Sequence, residues 1–226
     1  NDRNSNLYWF WKAVKDSPNE LVEEIHRLRN KFRNGGRDLY TYLRKEYDPH
    51  DAVQIATRFF ILNRITYAGL TDSGGFSKES FQKRFTQSSI ERLENVSTLL
   101  QHVKLTNLDF VEVLESPGKN VFLFLDPPYY SLRNANLYGK NGNLNTQFNH
   151  LKFAEVVRNT NHKWMITYDG DPFIEDLYKD YKPISWSIQY GMVQKEGNSR
   201  KNNELIITNF DISTYIKSST IPLLND

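Results

Sequence analysis

Residues 120–130 read Asn-Val-Phe-Leu-Phe-Leu-Asp-Pro-Pro-Tyr-Tyr, which sets Asp126, Pro127, Pro128 and Tyr129 directly behind an apolar run. That order suits the methylation of an exocyclic amine on a planar base. Such a nitrogen is a poor nucleophile because its lone pair is delocalised into the ring. A carboxylate and a backbone carbonyl that accept both amine hydrogens favour a pyramidal, more nucleophilic nitrogen as a methyl group arrives. Asp126 offers the side-chain acceptor, and Pro127 offers a carbonyl held in place because the ring fixes φ. Tyr129 can stack on a base taken out of its helix, with the proline surface of Pro128 on the other side. The plainer reading is a strand that ends in a Pro-Pro turn with a stray acid and surface tyrosines.

The elements around this stretch favour the chemical reading. The run Val121–Leu125 suits a strand buried on both faces, as in a parallel sheet. Proline cannot donate to the ladder, so the strand must stop at Asp126. The Pro-Pro-Tyr segment then lies at the carboxyl edge of the sheet, where open α/β folds bind ligands. Upstream, Ser17-Pro18-Asn19-Glu20 predicts a capped helix with Leu21, Ile25, Leu28 and Phe32 on one face, ended by Gly35-Gly36. Further helices are expected over Leu39–Lys45, after a cap at Asp51, and from Ser88 with Ile90, Leu93, Val96 and Leu100 inward. A strand is expected around Val103–Leu108. Beyond Asp126, Ser131–Asn149 reads as a long polar loop that either closes over a ligand or is disordered without one. Next come a helix over Leu151–Asn159, a buried strand over Lys163–Tyr168, a short helix over Pro172–Asp180 and a final hairpin of Ile184–Val193 with Glu204–Phe210. Asp169 and Asp171 read as turn caps at a strand end rather than as a metal site. The five histidines show no metal-ligand spacing.

These blocks resemble, in order, the Dam-type DNA adenine-N6 methyltransferases. Asn1-Asp2-Arg3-Asn4 is similar to the family's Asn-Asp-hydrophobic-Asn segment, with Arg3 at the hydrophobic position. Leu62-Asn63-Arg64-Ile65-Thr66-Tyr67-Ala68-Gly69-Leu70 resembles its Leu-Asn-Arg-x-x-Tyr-Asn-Gly-Leu block, with Ala68 in place of Asn. Asp109-Phe110 matches its acid-aromatic pair, and Lys201–Asn209 its last hairpin strand. The resemblance implies a Rossmann-like α/β sheet with a mostly helical target-recognition insertion. Its expected division is a catalytic part over 1–10 and 103–226 and an insertion over 11–102. S-adenosylmethionine is the implied cofactor, held by Asp2 at the ribose and by Asp109 and Phe110 at the adenine, with Asp126 beside the methyl group. Double-stranded DNA is the implied partner, contacted by Arg64, Tyr67, Lys78, Gln82, Lys83 and Arg84, where relatives insert a β-hairpin into the major groove. A cognate restriction endonuclease is a further partner the resemblance suggests. The family's Phe-x-Gly-x-Gly turn does not occur in these 226 residues, so the catalytic part is expected to be incomplete at its N-terminal side.

Composition narrows the alternatives. No cysteine is present, which excludes disulfides, cysteine-ligated zinc and the thiol nucleophile of cytosine-C5 methylation. A mean hydropathy of −0.64 and no apolar run near the roughly 20 residues of a membrane span describe a soluble protein; the lack of cysteine fits the cytoplasm, and the resemblance implies that the protein is DNA-associated. Net charge is only +2, so DNA binding must come from local basic patches such as Lys78, Lys83 and Arg84. No Gly-x-Ser-x-Gly or phosphate-binding loop supports a hydrolase or nucleotidase. Two alternatives share the same residues: methylation of cytosine N4 or an RNA base, and a DNA-binding fragment without activity.

Overall fold

Short polar residues open most of the helices in the first hundred positions. The Asn4 side chain accepts from the N–H of Asn6 and Leu7 and starts α1 (Ser5–Asp16). Pro18 begins α2 (Pro18–Lys31), but the Ser17 side chain makes no cap bond, so the expected capping box does not form. The helix stops at Phe32, and the Gly35-Gly36 pair begins α3 (Gly36–Lys45) rather than ending α2. Asp51 accepts from Gln54 N at the start of α4 (Ala52–Ile65), as expected. Ser77 caps α5 (Lys78–Arg84) and Thr86 caps α6 (Gln87–Leu100) in the same way. These features come from a computed structural model that describes residues 1–135, 139, 142–188 and 202–212.

By their contacts the residues fall into two compact units. The first holds Asn1–Asp109 with the described residues of 135–144, and the second holds Phe110–Asn134 with the described residues from Asn145 onward. Phe10, Ala13 and Val14 of α1, Leu21, Ile25 and Leu28 of α2, and Phe60, Ile61 and Ile65 of α4 close one apolar core in the first unit. Spacing of three and four residues places the α1 and α2 side chains on one stripe each, α4 is buried over a wider arc, and burying these surfaces drives the packing. The Val103–Leu108 segment is not a strand. Its backbone is bonded instead to the first two residues of the chain, so its extended apolar pattern serves a two-residue contact and no ladder.

The second unit is built on a four-stranded sheet. Its strands are β1 (Phe122–Leu125), β2 (Lys163–Asp169), β3 (Ile184–Ile188) and β4 (Asn202–Thr208), in the order β1-β2-β4-β3. β1 runs parallel to β2, while β4 is antiparallel to both β2 and β3. Trp164, Ile166 and Tyr168 alternate along β2 into the core, joined by Phe153, Ala154 and Val157 of a helix over His150–Asn159. The expected burial of β1 on both faces does not hold. Phe122 and Phe124, on one face of β1, are 51% and 60% exposed, and the Phe210 ring meets Phe122 edge-on at 5.9 Å without covering that face. The expected hairpin is present in its described strands, and the expected extension beyond Ile188 falls outside the described residues. So do positions 136–138 and 140–141 of the polar loop, whose described parts include a 3-10 turn at Tyr130–Leu132 and a helical turn at Asn143–Thr146.

Candidate active site

β1 ends at Leu125, paired with Ile166, so one step further along the parallel register Asp126 lies across from Thr167. The Thr167 Oγ1 hydroxyl donates to Asp126 Oδ1 at 2.9 Å. Asp126 itself is exposed, Pro127 is buried, and Pro128 and Tyr129 are half-buried. Two residues beyond Thr167 on the same face of β2, Asp169 reaches the next turn. Its Oδ1 accepts from Tyr130 N at 3.1 Å and its Oδ2 from Ser131 N at 3.0 Å. One strand therefore grips both ends of the Asp126–Tyr130 segment.

The two tyrosines of the motif divide their work. The Tyr130 ring stacks on Phe173 with centroids 4.3 Å apart, meets His150 edge-on at 5.1 Å and carries the Arg133 guanidinium at 4.1 Å. Tyr130 is thus committed to the protein, and Tyr129 is half-buried against the core of the same unit. Behind them His150 Nδ1 and the Tyr168 hydroxyl are 2.8 Å apart in the core. Burial depresses the His150 pKa, with the Asp169 charge raising it and Arg133 lowering it. Burial likewise pushes the Tyr168 hydroxyl up, so both rings are neutral near pH 7. Phe110 packs within the same unit against Phe148 and Phe153, at 5.5 and 5.3 Å.

In the first unit the N-terminal residues lie alongside the stretch that leads to Asp109. Asp2 N donates to Thr106 O at 3.2 Å, and Asn107 Nδ2 donates to Asp2 O at 2.7 Å. Asn1 Oδ1 accepts from Leu108 N at 2.9 Å. Asp2 and Asp109 are thereby brought to one local structure across more than a hundred positions of sequence. The Asp2 carboxylate accepts from Asn4 N at 2.7 Å, yet partial desolvation outweighs that bond and raises its pKa.

The same unit gathers the expected DNA-contacting residues around the end of α4. Tyr67 is 74% exposed on a tight turn in which Ala68 and Gly69 have φ of 53° and 72°. Asn63 Nδ2 closes the turn by donating to Gly69 O at 3.0 Å. A Cβ at Gly69 would stand 3.1 Å from Arg84 Nη2, so the glycine also makes room for that guanidinium. Arg64 lies 5.3 Å over the Phe60 ring with its Nε buried and unbonded. Burial lowers its pKa, and the charges of Arg84 and Arg92 lower it further. None of these three arginines forms an ion pair among the described residues. Lys83 differs, being held by Glu79 at 2.7 Å. Lys78 and Gln82 are carried on the same short helix α5. Where the resemblance implied a β-hairpin, a single bridge joins Thr66 to Phe76 and α5 comes directly after it.

Thr167 and Arg92 were not singled out by motif reading, and Asp169 was expected only as a turn cap at a strand end. A polar residue near the end of the strand next to the Asp-Pro-Pro-Tyr strand was the available signal for Thr167. Asp171, read alongside Asp169, does cap the helix over Pro172–Leu177 through Phe173 N.

A family model for the D12 class N6 adenine-specific DNA methyltransferases matches residues 1–192. The chain belongs to that family. It is 28% identical to the Type II methyltransferase M.MjaIII of Methanocaldococcus jannaschii, over 92% of this chain and 78% of that one. It is 25% identical to the Type II methyltransferase M1.LlaDCHI of Lactococcus lactis subsp. cremoris over 93% and 78% of the two chains. Against the DNA N-6-adenine-methyltransferase of Escherichia phage P1 it is 25% identical over 80% of its own length and 25% of the phage protein. As a D12-class enzyme it is an α/β DNA methyltransferase that acts on adenine N6, a reaction that requires DNA and a methyl donor.

Proposed function

We propose that this D12 enzyme methylates adenine N6 in double-stranded DNA with Asp126 and the Pro127 carbonyl as the two acceptors of the amine hydrogens. Thr167 supports this reading, since its hydroxyl takes one oxygen of Asp126 and leaves the other for the substrate. The extruded adenine lies against Tyr129 and Pro128. With both N–H bonds engaged, the nitrogen lone pair is turned towards the incoming methyl group, and the departing proton passes through the Asp126 carboxylate to water. Electrostatic preorganisation of this kind is effective because the acceptors are in place before charge develops.

S-adenosylmethionine supplies an electrophilic methyl group when bound. The donor set suits it: Asp2 and Asp109 offer carboxylates, while a ribose diol and an adenine amine offer hydrogens. The contacts of Asn1 and Asp2 with Thr106–Leu108 bring those acids to the same stretch. Phe110 is assigned to the adenine ring. We further assign 1–10 and 103–226 to methyl transfer and 11–102 to target recognition, with Arg64, Tyr67, Lys78, Gln82, Lys83 and Arg84 at the DNA. A cognate restriction endonuclease fits the Type II naming of the relatives.

The test is transfer of label from S-adenosylmethionine to duplex DNA by the full-length protein, with subsequent digestion to nucleosides. Label in N6-methyldeoxyadenosine is expected. Label in N4-methyldeoxycytidine alone, or transfer only to RNA, would overturn the reading.

A further inference from the structure

We infer that β2 is the positioning strand of the active site, with Thr167 selecting the free oxygen of Asp126 and Asp169 fixing the turn that carries Tyr129. This rests on the reading of Asp126 as amine acceptor, and adds two residues that do not touch the base. A carboxylate on a single-bond stem can rotate, and either oxygen can face the substrate. The Thr167 bond at 2.9 Å removes that freedom by holding Oδ1. The parallel register makes the bond possible, since it sets residue 167 across from residue 126 once β1 has ended.

Asp169 does the complementary work on the backbone. After two prolines the chain has lost two N–H donors and cannot continue a ladder. Beyond them the carboxylate takes the N–H groups of Tyr130 and Ser131, at 3.1 and 3.0 Å. Bonds to an ionised acceptor are stronger than neutral ones. The Tyr130 ring is clamped between Phe173 and Arg133, so the segment from Asp126 to Ser131 is fixed at both ends. Tyr129 sits in the middle of that fixed span. Residues 167 and 169 share a face of β2 because successive side chains alternate, while Ile166 and Tyr168 fill the core on the other.

Three variants of the full-length protein test this. Thr167→Val keeps the β-branched shape but removes the donor, and kcat should fall roughly 10- to 100-fold with KM for DNA and for S-adenosylmethionine within about twofold. Thr167→Ser restores the hydroxyl and should recover kcat to within about threefold. For Asp169→Asn, DNA carrying 2-aminopurine at the mapped target base should show a changed fluorescence in the complex, because the stacking ring has lost one of its two backbone anchors. Should Thr167→Val melt early, Thr167→Ala against Thr167→Ser gives the same comparison. If Thr167→Val keeps wild-type kcat while Asp126→Ala is dead, the positioning role is wrong and the pocket reading stands. Failure of the serine to rescue, or an unchanged Asp169→Asn fluorescence, also overturns the inference. Full activity of Asp126→Ala removes the pocket reading itself.

Discussion

Asp126, the amine acceptor proposed above, holds one carboxylate oxygen against the Thr167 hydroxyl. Truncation to Ala should lower kcat by about 10²-fold or more, in the range seen when a preorganised acceptor or proton carrier is lost. DNA affinity, measured by fluorescence anisotropy, should stay within about threefold, because Asp126 contributes no positive charge to the phosphate contacts. A large loss of binding would place the chemistry elsewhere. At this scale the motif was legible and its supports were not. Asp126, Pro127, Pro128 and Tyr129 announce themselves by adjacency, whereas Thr167 and Asp169 lie some forty positions later and meet the motif only through strand pairing. Asp2 is the converse case. Its place in the sequence reads as a fraying end, yet it is bonded to Thr106 and Asn107.

Among the elements, α4 and its turn show how a local residue choice sets stability. Ala68 has φ 53° and ψ 11°, a left-handed conformation that costs an alanine roughly 1–2 kcal/mol. Ala68→Gly should therefore stabilise the protein by about 0.5–1 kcal/mol after the extra entropy of an unfolded glycine is subtracted. Ala68→Asn should act in the same direction, and urea denaturation reads both. The helical periodicities of α2, α4 and α6 were legible because their apolar stripes are long and the cores they fill are local. β1 was only half legible, since an apolar run does not say whether a second sheet face will be covered. The helix-to-β2 contact between His150 and Tyr168 gives a pH dependence. Burial holds the folded His150 pKa below its ordinary value of 6.5. The folded state therefore binds fewer protons than the unfolded one just below pH 6.5, and stability is intact above that value and falls as pH drops through the folded pKa. Denaturation midpoints between pH 7.5 and 5 should decline, and His150→Gln should flatten that decline.

For the molecule as a whole, charge is distributed rather than abundant. The net +2 masks Arg64, Arg84 and Arg92, which lie near one another without carboxylate partners among the described residues. Replacing Arg64 or Arg92 by Gln should weaken DNA binding about equally across sequences and reduce the slope of log K against log salt by about 1 each. Lys83→Gln should change the slope less, because Glu79 already neutralises that ammonium. No helix among the described residues is long and apolar enough to cross a membrane. The family was legible from four short blocks because they recur in a fixed order along the chain. Arg92 was not, because nothing in a helix sequence such as Ile90-Glu91-Arg92-Leu93 tells which neighbour the guanidinium will meet.

Those three guanidiniums also set a response to anions that the melting temperature can read. The charges of Arg84 and Arg92 disfavour a charged Arg64, so sulfate or a short oligonucleotide should raise the melting temperature above that in chloride of equal ionic strength. In Arg92→Gln the rise should shrink, while the chloride melting point itself should climb.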